Sequence, residues 1–232
     1  MRGLEWLARV GPAPADAWAA AMGWSERTAF SHAERLEKAG WVHRHRMTYG
    51  HGSLLSASRR GVAVTGKAVA ASRRPAPTWW AHLVACAWTA AWLTVRDQAI
   101  QGSREVDADD TWIGELRWRD GNGSHTTRHR PDLAVVAGGS RLAVEVELAR
   151  KSTARLEAIL ALHARWRAGG ITRGVLYVCG DQTGRERVRE LAAKRGLSTE
   201  RHGGLRIEML AGIRSEALGA SPPAPRLTDP GL

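Results

Sequence analysis

The run RPDLAVVAGGSRLAVEVELARKSTARLEAIL, residues 130–160, constrains this chain most, because it sets acids inside segments that are otherwise apolar and strand-forming. From 142 to 148 the pattern has period two: Leu142, Val144, Val146 and Leu148 fall on one side of an extended segment, and Ala143, Glu145 and Glu147 on the other. Two glutamates on one side of such a strand are costly to desolvate unless a cation or hydrogen-bond donors neutralise them. Asp132 precedes a second β-type run, LAVV, and the Gly138-Gly139 pair predicts a hairpin that returns that run against the glutamate strand. Asp132, Glu145 and Glu147 should then converge at one end of a sheet. Oxygen-only donors suit Mg2+ or Mn2+, and Lys151, just after the strand, offers a positive charge beside the ion.

Composition narrows the partner. The formal net charge is +11 over 232 residues, which points to a polyanion, with nucleic acid first and an anionic membrane surface second. Residues 1–78 carry 12 Lys+Arg against 5 Asp+Glu, a difference of 7, which leaves 4 for the rest of the chain. Two cysteines without metal-type spacing fit a reducing cytoplasm. The apolar stretch 79–93 is shorter than the roughly 20 residues a membrane span needs, so it is expected as a buried helix; its tryptophans are the one feature that favours a peripheral membrane protein. His82 within it is expected as a core or surface histidine and not as a ligand.

The basic first third has its own pattern. Helices are expected at 3–10 and 14–22, followed by a third that Ser25 caps and Gly40 stops, with Phe30, Ala33 and Leu36 on one face and Arg27, Thr28, Ser31, His32, Arg35 and Lys38 on the other. Residues 41–58 read as two strands around 49–52. Three helices and a hairpin predict a winged helix-turn-helix whose third helix enters the major groove, with Arg44, Arg46, His51, Arg59 and Arg60 charging the wing. A solvated amphipathic helix, or a unit that contacts protein, is the alternative. Residues 72–78 read as a linker, giving a DNA-binding domain at 1–71, an α/β domain at 79–217 and a disordered tail at 218–232.

Within the second domain a strand is expected at 111–119, with Ile113, Leu116 and Trp118 as buried candidates, then a polar turn at 121–130. A helix at 152–167 turns Leu156, Ile159, Leu160 and Leu162 inward, and Arg155, four residues after Lys151, is expected to share a phosphate with it. A strand at 171–180, a helix at 183–197 and a strand at 205–210 complete a mixed sheet.

Pro131-Asp132, then Glu145 after a hairpin, then a lysine, resembles the PD-(D/E)xK motif of restriction-endonuclease-like nucleases. The string VEVELARKSTARLEAIL behind a basic helical domain is similar to the plasmid replication-relaxation family, over about residues 3–210. The resemblance implies a restriction-endonuclease-like core, Asp132, Glu145 and Glu147 as metal ligands, and Mg2+-dependent phosphodiester cleavage on double-stranded DNA, as in a nick at a plasmid origin; a homodimer is compatible with it. The sequence departs from the motif where Glu147 stands in place of the lysine, with Lys151 as its substitute, and Glu105 or Glu115 is a candidate for an additional acid. A DNA-binding replication or transfer regulator that keeps the fold without activity is the competing expectation. A relaxase-type tyrosine would have to be Tyr49 or Tyr177; neither is expected near the acids, so water is the expected nucleophile.

Overall fold

The computed structural model describes residues 1–47, 52–149 and 151–219. The first third folds as α1 (Arg2–Val10), β1 (Ala13–Pro14), α2 (Ala15–Met22), α3 (Glu26–Lys38), β2 (Val42–Arg46), β3 (Ser53–Ala57) and α4 (Arg59–Thr65). Gly23, at φ 67°, ends α2 in the left-handed conformation that glycine adopts without strain. Ser25 then opens α3 by accepting the Thr28 amide. The three strands form an antiparallel sheet in the order β1-β3-β2.

The buried side of α3 is the expected one at Ala33, which is fully buried, and at Leu36, which packs against the core, but Ala29 takes the place of Phe30, which is 47% exposed. Small residues at i and i+4 let α3 lie close against α2, and that rotation turns the phenyl ring out. Tyr49 and His51 lie outside the described residues.

The second part runs α5 (Trp80–Val95), β4 (Ile100–Gln101), α6 (Ser103–Ala108), β5 (Gly114–Asp120), β6 (Gly123–His129), β7 (Leu133–Ala137), β8 (Ser140–Glu147), α7 (Thr153–Ala168), β9 (Gly174–Cys179), α8 (Gln182–Ala193), β10 (Leu205–Met209) and α9 (Leu210–Ala217). A five-stranded mixed sheet has the order β10-β9-β8-β7-β4. Strands β8, β9 and β10 are parallel, and β7 and β4 are antiparallel to their neighbours. The β7–β8 hairpin turns at Gly138 and Gly139, with φ of 56° and 77°, as a tight primed turn requires.

Residues 123–129, expected in a turn, are strand β6, paired with β5 from Gly114↔His129 to Asp120↔Gly123. An exposed ribbon is held by its backbone ladder and needs no apolar run to announce it. At its base Gly114 rests on α7, where a Cβ would collide with Leu162 and Trp166.

Two apolar clusters sandwich the large sheet. One joins Leu142, Val144, Val146 and Leu176 to Trp88 and Trp92 of α5 and on to Leu4, Trp18 and Ala29. The other joins Ala143, Val175 and Tyr177 to Leu156, Leu160 and Trp166 of α7 and to Trp112 and Leu116. The first cluster crosses residues 72–78, so the two expected domains share a core. Trp6 Nε1 donating to Thr94 Oγ1 at 3.1 Å and the Arg9–Glu105 ion pair at 2.9 Å reinforce that joint. The expected tail falls almost wholly at 220–232, outside the described residues. Among the described residues no helix is long and apolar enough to cross a membrane.

Candidate functional site

The alternation along β8 puts its two glutamates on the α7 side of the sheet, where they are 4% and 7% exposed. Charges this deep must be matched by donors. Glu145 Oε1 accepts from two imidazoles, His129 Nε2 at 2.7 Å and His163 Nε2 at 2.9 Å. His129 ends β6, and His163 lies on the buried stripe of α7 with Leu156, Ile159 and Leu160. Burial works to raise the Glu145 carboxyl, but the charge and hydrogen bond of His129, with His163 behind it, outweigh that and hold it well below the carboxylate range. Burial in turn lowers His129, and attraction to Glu145 more than reverses this.

Asp132 immediately precedes β7 at the open end of the hairpin, away from the Gly138-Gly139 turn. Its Oδ2 accepts the Val146 amide at 2.7 Å and its own amide donates to Val144 O at 3.0 Å. Its Oδ1 pairs with His82 Nε2 of α5 at 2.9 Å, and that hydrogen bond raises the His82 pKa against the effect of burial. One helical turn on, Cys86 Sγ lies 3.5 Å from His82 Nε2, and burial pushes its thiol pKa well up. Glu147 is ion-paired with Lys151 through Oε2, while its buried Oε1 has no hydrogen-bond partner.

As the side chains stand, Asp132, Glu145 and Glu147, expected to share one ion, do not form a close ligand group with one another. Among the described residues, the His/Cys/Asp/Glu groups whose ligand atoms lie within 4.8 Å of one another are His82–Cys86–Asp132 and His129–Glu145–His163. The acids diverge because each has found its own cation or donor: Asp132 turns to α5, Glu145 to β6 and α7, and Glu147 to Lys151. The two groups remain electrostatic neighbours, since Glu145 acts on His82 and Asp132 on His129. Nitrogen and sulfur now stand beside oxygen in the donor sets, which departs from the oxygen-only chemistry read from the motif.

Other expected positions move as well. Tyr177, expected away from the acids, lies beside Glu145 in the parallel register. Its phenol is 1% exposed without a hydrogen-bond partner, and burial and then Glu145 and Glu147 raise its pKa far above the usual value. Lys151 precedes the Ser152 cap of α7, so helical spacing does not align it with Arg155, whose guanidinium instead sits 5.8 Å from the Trp118 ring centroid. Glu105 caps α6 and pairs with Arg9, and Glu115 pairs with Arg117 at 2.5 Å on an exposed ribbon, so neither joins the acids.

On α3, Arg27, Thr28, Ser31, Arg35 and Lys38 are exposed. His32 is half-buried, stacked on Trp24 at 4.4 Å and within 3.1 Å of an Arg35 nitrogen. Arg46 is exposed, and Arg44 donates to Glu37 at 3.0 Å.

Sequence reasoning missed His82, Cys86, His129 and His163. Faint signals existed: His163 falls on the same helical stripe as Ile159, Leu160 and Trp166, and His82 and Cys86 have i,i+4 spacing on one helix. No family model and no curated protein matches the chain. Among solved structures it is similar to the crystal structure of protein VC1899 from Vibrio cholerae, at 12% identity and a TM-score of 0.34, over 86% of this chain and 43% of that one. The chain thus spans less than half the length of that protein.

Proposed function

We propose that the protein binds double-stranded DNA and cleaves or nicks it at a metal-dependent centre built around Asp132, Glu145, Glu147 and Lys151, in plasmid replication or mobilisation as the resemblance implies. The observation that carries this reading is that three carboxylates and a lysine, each now holding a separate partner, come from one end of the β7–β8 hairpin, beside the carboxyl end of the parallel strands, where ligands of open α/β sheets bind. The second part is then read as a restriction-endonuclease-like core, and α1 to α3 with β2 and β3 as a winged helix.

The carboxylates suit a dication, since Glu145 stays ionised far into acid. A bound Mg2+ or Mn2+ supplies a water of lowered pKa and positive charge for the phosphate. His82 and the Val146 amide hold both Asp132 oxygens in the resting protein, and a bound ion would take Oδ1 from His82. Lys151, 24% exposed, can exchange Glu147 for an incoming phosphate oxygen. The exposed Arg27, Arg35 and Lys38 of α3 and Arg46 of β2 grip the duplex backbone.

A second reading, a DNA-binding regulator without activity, is favoured by one observation: Glu145 and Glu147 are already matched by protein cations and donors. Supercoiled plasmid incubated with protein and Mg2+ or Mn2+ separates the two. Nicking that Asp132→Ala abolishes supports the cleavage reading, and equal nicking by both proteins overturns it. Salt-sensitive binding with no cleavage in either metal selects the regulator.

A further inference from the structure

The His129–Glu145–His163 group has more structure than a neutralised carboxylate needs. A single donor balances one carboxylate oxygen, yet here two imidazoles from different elements converge on the same Oε1, at 2.7 Å and 2.9 Å. His163 is wholly buried, and its other ring nitrogen, Nδ1, has no hydrogen-bond partner. The Tyr177 hydroxyl is likewise buried and unpartnered, its ring centroid 6.3 Å from that of His163, and its phenol responds to Glu145 before any other charge. Buried polar atoms without partners are rare in folded proteins, and two of them border one cluster.

We propose that His129, Glu145 and His163 form a binding site for a transition-metal dication, of the Mn2+, Fe2+, Co2+ or Zn2+ class, that discriminates against Mg2+. The three donor atoms lie within 4.8 Å of one another, with both imidazole nitrogens gathered on Oε1. Ligands of such ions sit at about 2.0–2.2 Å from the metal, which separates them by about 3.0–3.5 Å, so each contact has to open by about half an ångström. Both imidazoles must then present lone pairs at Nε2 and carry their hydrogen on Nδ1. For His163 the bond to the metal replaces the hydrogen bond now given to Glu145 Oε1, and Nδ1 has no existing partner that the incoming hydrogen would displace. Two imidazoles and one carboxylate favour borderline metals, whereas Mg2+ demands an octahedral oxygen shell that this set cannot supply. The side chain of His129 is 13% exposed and gives the ion its entry; those of Glu145 and His163 are 6% and 0% exposed and keep competing water out. Tyr177 stands beside the site as a hydroxyl able to donate to a metal-bound water.

The site shares Glu145 with the cleavage centre proposed above but does not require that cleavage occur. The test is Co2+ titration of the full chain after EDTA stripping, followed by visible d–d absorption and by thermal unfolding. One equivalent of Co2+ should give d–d bands and raise the melting temperature, and excess Mg2+ should leave those bands in place. His129→Gln should weaken Co2+ binding by more than about a hundredfold, beyond the loss that outer-shell partners produce. Because His129 is at the rim, this variant should keep the wild-type circular dichroism; His163→Gln tests the buried ligand. His82→Ala, in the other group, should retain the bands. Absence of Co2+ binding to wild type, bands that survive His129→Gln, bands lost in His82→Ala, or displacement of Co2+ by Mg2+ would each overturn the site. Co2+ binding as described in a protein that never nicks DNA would overturn the cleavage reading and leave the metal site standing.

Discussion

The two sides of β8 contrast sharply although they belong to eight consecutive residues. Leu142, Val144 and Val146 face α5 and the helices of the first third, in a layer made of tryptophan, alanine and leucine. Ala143, Glu145 and Glu147 face α7, where His163, Tyr177 and Cys179 surround the acids. Burial is nearly the same: Val144 and Val146 are 0% and 2% exposed, Glu145 and Glu147 4% and 7%. What differs is supply of donors. The apolar side gains by excluding water alone, whereas the charged side is viable only because β6, α7 and the segment after β8 deliver imidazoles and an ammonium. Cys179, at the end of the adjacent strand, registers the same surroundings: burial and then the Glu147 charge push its thiol up to about 12.

The contrast can be broken from either side. Val144→Asp places a carboxylate where nothing donates, and should cost more than about 4 kcal/mol; urea unfolding of this variant should find little folded protein, and near-wild-type stability would mean that the α5 side is wetter than described. Glu145→Ala leaves His129 and His163 facing each other without an acceptor and should cost about 3 kcal/mol. Glu145→Gln retains an acceptor oxygen, so its loss should be nearer 1 kcal/mol. Equal midpoints for the Ala and Gln variants would show that the carboxylate is not what orders the two rings.

The smallest effect is in pH. His129 and His82 are raised above the ordinary 6.5, so their contribution is complete below that value and fades as pH rises through their raised pKa values. Glu145 is lowered from 4.5, so its contribution is complete above that value and fades only as pH falls well below it. The metal-free protein should therefore be most stable between about 4.5 and 6.5 as far as these groups are concerned, the ordinary carboxylate and imidazole values. Thermal melts carried to pH above 6.5 should show a decline in the wild type that a His82→Ala, His129→Gln double variant loses.

How much of this was legible depends on the range of the forces involved. The β7–β8 hairpin, the sidedness of β8 and the cap at Ser25 are local matters, and each was visible in spacing or in a glycine pair. The inward stripe of α7 was visible for the same reason. The histidines were not, because His82 reaches Asp132 across 50 positions and His163 reaches Glu145 across 18, and no short-range pattern encodes such a meeting. β6 was hidden by its polar residues, and Phe30 misled because bulk suggested burial at a contact that two alanines make. The oxygen-only donor set read from the acids did not include the imidazoles that the fold brings to Asp132 and Glu145.

The apolar layer that spans residues 72–78 has a mechanical corollary. Trp88 and Trp92 are held between the strands that carry the acids and the helices behind α3, so a protease that cuts near position 74 should leave two fragments that travel together on a native gel and part only in denaturant. A load applied to the basic helix would reach the hairpin through packed tryptophans and not through a slack tether, which makes the two parts a lever with a shared fulcrum.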